Sequence, residues 1–186
     1  GTVTLSIVPH STFDGKIDSI SLRQINLGTA SVPISVLHGS VGMELRSSAT
    51  LFNLSAGVGA GRSLRSGYGN SNFGFSAGYA ETSGYYNSNF GYQAGLAITT
   101  GFGNSNYGYA SGSAITSGIN NTILGNNSGK SITTGNGNSI FGNNAGRYIA
   151  DGSTALTTPG NCVYIGSSTK ASSDGVTAES VFGYNA

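Results

Sequence analysis

The stretch "NSNFGYQAGLAITTG", Asn87 to Gly101, decides how this chain is read. Nearly the same phrase stands before it as "NSNFGFSAGYAETSG", from Asn70 to Gly84, and after it as "NSNYGYASGSAITSG", from Asn104 to Gly118. The step is the same both times, from position 70 to 87 and from 87 to 104. Working outward, three glycine columns keep that step: Gly57 to Gly142, Gly61 to Gly146, and Gly67 to Gly152. An asparagine column opens each unit: Asn53, Asn70, Asn87, Asn104, Asn121 and Asn138. Beyond Gly152 the register stretches by seven residues, so that Gly142 is followed by Gly166 and then Gly183. These are eight units, with a loop-forming insertion carrying Pro159 expected near 153–160.

A 17-residue period is too short for helical repeats, which need about 33 to 47 residues. Three glycines per unit also argue against helix, at roughly 1 kcal/mol each. Period-2 alternation predicts short strands, with Phe90, Tyr92 and Ala94 on one face and a second strand around Ala97, Ile98 and Thr99. An apolar column runs through Leu64, Ile98, Ile115, Ile132 and Ile149, broken by Glu81. The expected fold is all-β: a parallel β-solenoid or β-roll over residues 51–186, one coil per unit. Identical positions would then stack about 4.8 Å apart in a rod section of roughly 40 Å, with the asparagines forming a ladder at one corner.

Residues 1–50 lack the repeat. "TVTLSIVP", "IDSISLRQINL", "SVPISVLHG" and "MELRSS" read as strands of a β-sandwich-like segment, the first two joined through "HSTFDGK" as a hairpin. "FDGKIDSISLRQI" resembles the closing strands of jelly-roll carbohydrate-binding modules. The first residue is Gly rather than Met, as expected of a chain cut from a longer one.

Composition narrows the function classes. Only 8% of residues are charged, and the net charge is +1, so no electrostatic case for nucleic acid or an anionic membrane exists. No apolar run reaches the length of a membrane-spanning helix, so membrane insertion is not expected. No signal peptide is visible. A single cysteine, Cys162, excludes a disulfide within the chain and reads as a buried, inert thiol.

The repeats "NSNFGYQAGLAITTG" and "NTILGNNSGKSITTG" resemble the N-T-A-I-G-Y-x-A-type repeats of bacteriophage tail fibres and tail spikes, which often precede a self-trimming intramolecular chaperone. They are also similar to the β-roll heads of trimeric autotransporter adhesins, whose repeat is shorter. The likeness covers Asn53 to Ala186; neither a chaperone segment nor an adhesin anchor or stalk accompanies it. It implies a homotrimer, in a virion tail or otherwise extracellular, that attaches to a cell-surface polysaccharide or another host receptor.

Chemistry-bearing residues are sparse. The acids are Asp14, Asp18, Glu44, Glu81, Asp151, Asp174 and Glu179. A glycosidase needs two carboxylates flanking one bond, and only Asp151 and Asp174 could approach each other. His10 and His38 have no ligand spacing around them. The turns lack the Asp of the G-G-x-G-x-D calcium repeat. "GNNSGKS" has three residues between its glycines where a phosphate loop requires four. No catalytic residue, metal or cofactor is therefore expected, and the chain reads as a binding protein, not an enzyme. An ice-binding reading is weaker, because Thr82, Thr99, Thr116 and Thr133 form a single column.

The aromatic columns remain. Tyr68, Tyr85 and Phe102, with Tyr86 beside them, are candidate glycan contacts. Phe73, Phe90, Tyr107, Leu124 and Phe141, one per coil, are expected in the core or at the trimer axis. A thin glycine-rich coil buries little apolar area by itself, so three chains sharing those columns would offset the backbone entropy of ordering. The alternative reading is an extracellular filament subunit or bacterial surface adhesin built on the same coil.

Overall fold

A computed structural model describes residues 51–186, together with two strands upstream, β1 (Ile34–Val36) and β2 (Met43–Ser48). These strands fall within "SVPISVLHG" and "MELRSS". The rest of the expected sandwich, the carbohydrate-module likeness, His10, His38, Asp14 and Asp18 lie outside the described residues. β3 (Asn53–Ala56), β4 (Ser71–Phe73), β5 (Ser88–Phe90), β6 (Ser105–Tyr107), β7 (Thr122–Leu124), β8 (Ser139–Phe141), β9 (Val163–Ile165) and β10 (Ser180–Phe182) follow. All ten form one sheet in sequence order. β3 to β10 are parallel, one strand per coil, and the chain is a β-solenoid of about eight turns. β1 and β2 extend the first edge in antiparallel pairing.

Stacking is position on position. Asn72 pairs with Asn89 and Asn89 with Asn106, each one repeat further on. Backbone bonds continue the match outside the strands, as in Thr99 N–H to Thr116 C=O at 2.9 Å. The segment at Ala97, Ile98 and Thr99 is accordingly a stacked turn, not the expected second strand. Each coil has one short strand and otherwise tight turns.

Glycine is required where coil meets coil. Gly91 adopts φ +138°, and a Cβ there would collide with the backbone of Gly108 in the next coil. Gly101 has an ordinary φ, yet its Cβ would lie 2.5 Å from the Gly118 carbonyl oxygen. Two residues after Gly91, Gln93 is left-handed at φ 55°, and the same corner in other coils holds Ser76, Ala110, Asn127 and Asn144. That turn reverses the face of the chain. Ala94 is buried, while Tyr92 is exposed and Phe90 lies partly exposed. The expected shared face of Phe90, Tyr92 and Ala94 is thus broken, because period 2 holds only while the backbone stays extended.

The inserted residues lie earlier than expected. Thr133 N–H bonds Thr157 C=O, and Asn138 pairs with Cys162 and Pro159. Residues 147–155 thus replace Lys130 and Ser131 of the preceding coil, and project as a small hairpin in which Tyr148 pairs with Ala155. Pro159, not Gly152, follows Gly135 in the stack, and Leu156, not Ile149, follows Ile132. Ile149 packs against the edge of the core instead.

The core changes character along the axis. Its central strand position runs Ser55, Asn72, Asn89 and Asn106, then Ile123, Ile140 and Tyr164, all essentially buried. Ile98, Ile115, Ile132 and Leu156 face this row. In the asparagine half, Asn89 Nδ2 donates to Asn72 Oδ1 and Asn106 Nδ2 to Asn89 Oδ1, both at 2.8 Å. The last acceptor, Asn106 Oδ1, has no partner among the described residues, because the next coil offers Ile123.

Candidate binding surface

Both asparagines of "NSN" point inward, since period 2 places them on one side of the strand. The first forms the corner ladder. Asn87 Oδ1 accepts from Asn104 N–H at 3.0 Å, and Asn104 Nδ2 donates to Gly118 C=O at 2.8 Å. The inward asparagines turn the third strand residue and the residue after the glycine outward.

The outward residues make aromatic columns. Phe73, Phe90 and Tyr107 stack with centroids 4.9 Å apart and planes within 7°. Phe75, Tyr92 and Tyr109 stack at 5.2 and 5.1 Å, with planes within 10°. Phe73, Phe90, Tyr107, Leu124 and Phe141 therefore line the outer face of the sheet, and Tyr107 and Leu124 are exposed. Of the two places expected for them, the coil's own core and the trimer axis, the first is taken by the strand's middle residue.

Tyr68, Tyr85, Tyr86 and Phe102 come together at one corner. Tyr68 stacks on Tyr85 at 5.1 Å, and Tyr85 on Phe102 at 4.5 Å. Tyr86 stands across the first two, at 81° to Tyr68 and 80° to Tyr85. Its neighbours along the axis are Gly69 and Gly103. A Cβ on Gly69 would strike the Tyr86 ring at 2.7 Å, so that glycine leaves the space the ring fills. Tyr86 is 61% exposed. Partial desolvation and the adjoining Tyr86 and Tyr85 hold the Tyr68 phenol above its ordinary value. The ladder rings turn their faces to one another and offer edges to solvent, whereas Tyr86 meets its neighbours edge to face.

The acids are separately employed. Asp151 accepts from the Thr154 hydroxyl, Ser153 N–H and Thr154 N–H, which hold its carboxyl down at about 2. Asp174 accepts from Thr157 and Thr158, and its carboxyl also titrates at about 2 against the opposing effect of burial. Glu179 accepts from the Tyr164 hydroxyl and Ser172 N–H. Cys162 is buried at the asparagine-ladder position, its thiol 3.3 Å from Gly160 C=O.

Glu81 escaped sequence reasoning as more than a break in the apolar column. It is fully buried, accepting from Asn72 Nδ2 at 2.9 Å and Asn87 Nδ2 at 2.6 Å. Burial pushes its carboxyl up to about 7, against the lowering effect of those two amides. Two asparagines placed inward by "NSN", in the same stack as the acid, were the available signal.

No protein-family model, curated protein or solved structure matches this chain.

Proposed function

We propose that this chain is the rigid shaft of an attachment protein of the phage tail-fibre or receptor-binding type. It acts as a parallel homotrimer, outside the cell or on a virion, and contacts cell-surface glycans. The observation that carries this reading is the corner cluster of Tyr68, Tyr85, Tyr86 and Phe102, an exposed aromatic group held in place by stacked coils. Aromatic rings offer large, stiff contact area for the apolar faces of sugars. Binding rather than catalysis is supported by the acids, since Asp151 is held by Ser153 and Thr154 of its own loop and Asp174 by Thr157 and Thr158 of the preceding coil.

The test is binding of the fluorescently labelled chain to a panel of bacterial surface polysaccharides and to intact cells. Wild type is expected to bind some members, and Tyr86→Ala to lose about tenfold in affinity or more. Absence of binding to every member sinks the reading. Release of reducing ends that disappears in Asp151→Asn or Asp174→Asn would make the chain a depolymerase instead. The filament or adhesin reading draws on the Phe73–Phe90–Tyr107 column, an apolar stripe suited to lateral association.

A further inference from the structure

The insertion creates a second surface feature, away from the tyrosine corner. Its hairpin base and the neighbouring coils enclose a cleft of about 220 Å³, lined among others by Asn144, Arg147, Tyr148, Ser168, Lys170 and Asn185. That volume is below the roughly 300–1,000 Å³ of pockets for drug-sized ligands, and suits about one sugar ring.

Two of the chain's few cations line this cleft, and no carboxylate side chain does. Each is held by a neutral amide. Arg147 Nη1 donates to Asn144 Oδ1 at 3.0 Å, and Lys170 Nζ to Asn185 Oδ1 at 2.7 Å. The Arg147 guanidinium lies over the Tyr148 ring, 4.8 Å from its centre. The nearest acid in sequence, Asp151, turns its carboxylate to Ser153 and Thr154 of its own loop. Two positive charges steadied by neutral amides, with no carboxylate side chain in the lining, are complementary to an anion. The Tyr148 ring and the Ser168, Asn144 and Asn185 side chains add the apolar face and hydroxyl-binding groups that a sugar needs.

We propose that the cleft between the inserted hairpin and the last coils binds a carboxylated sugar of an acidic polysaccharide, with Arg147 and Lys170 receiving the carboxylate. The inference rests on the glycan-binding reading and narrows it to a substrate class. A planar guanidinium fork fits a carboxylate in two-pronged fashion, which makes a uronate the better match than a neutral sugar.

The test titrates the whole chain with oligogalacturonate, with neutral oligogalactose and with a sulfated oligosaccharide, at low ionic strength, by calorimetry. Oligogalacturonate is expected to bind at least about tenfold more tightly than either control, and to weaken as salt is added. Arg147→Gln and Lys170→Gln should each lose about tenfold or more, while Arg65→Gln, which removes an exposed cation outside the cleft, leaves oligogalacturonate binding unchanged. Circular dichroism and the denaturation midpoint establish that the variants are folded; Lys170→Gln removes one charge and its bond to Asn185, and keeps the test open if Arg147→Gln does not fold. Equal binding of the neutral oligomer, undiminished binding in the folded variants, or preference for the sulfated sugar overturns the proposal. Binding of neutral glycans alone, lost in Tyr86→Ala, would overturn it while leaving the attachment reading in place.

Discussion

Glu81 occupies the one inward position where the preceding coil has Leu64 and the following coils Ile98 and Ile115. Its ordinary value is 4.5, and burial raises it in the folded chain to about 7. The folded state thus holds the proton more tightly than the unfolded chain. The associated stability is complete below about pH 4.5, declines as pH rises towards 7, and is flat above it. The loss across that window is roughly 3 kcal/mol as an upper bound. Glu81→Ile restores the column with a side chain of similar bulk, and Asn89 and Ile98, which both border the space over Gly95, show that asparagine and isoleucine pack together here. The variant should unfold with a flatter pH profile between 4.5 and 7 and be more stable than wild type above pH 7. Urea titrations at several pH values decide this; an unchanged profile would place the pH dependence elsewhere.

At the scale of the coil, the corner asparagine is the element that locks one turn to the next. Asn104 donates to Gly118 C=O and accepts from both the backbone and the side-chain N–H of Asn121. Asn104→Ala leaves these buried groups without partners, at about 2–4 kcal/mol. Chemical denaturation measures the cost, and amide exchange should quicken first at Asn121. The natural chain first departs from this asparagine at Cys162, directly after the insertion. There the backbone N–H of Cys162 still bonds Asn138, but the thiol passes no amide ladder onward.

At the scale of the molecule, the exposed columns bear on assembly. Leu124, Tyr107, Ile165 and Phe182 continue one outer stripe along the sheet and remain exposed in a single chain. Three chains in parallel would bring identical rungs together at one axis, with each coil adding a layer of contact. Light scattering or native mass spectrometry at micromolar concentration should give three times the mass of the chain. Phe90→Ser with Tyr107→Ser should shift it towards monomer. A folded wild-type monomer refutes the trimer, and a long polymer selects the filament reading.

The period, the all-β class, the parallel stacking and the corner asparagine ladder were legible in the sequence, because a solenoid writes each contact at a constant separation. An eye for columns therefore reads tertiary neighbours directly. The same reading failed wherever the backbone left the extended state. Left-handed turns at Gln93 and its counterparts broke the alternation, which sent Tyr92 out and Ala94 in. Phe73, Phe90 and Tyr107 look like core by hydrophobicity, yet the strand's pleat gives the inside to Asn72, Asn89 and Asn106. Those amides can be buried only because the next coil supplies their hydrogen-bond partners, a satisfaction that one repeat cannot display. Tertiary structure also decided where the extra seven residues bulge, since residues 147–155 could leave the stack while Leu156 took the core position that Ile149 holds by count. The cationic cleft is tertiary in the same way: Arg147 and Lys170 are distant in sequence and line one cleft because adjacent coils stack in register, with Tyr148 and Gly152 of the projecting hairpin beside them.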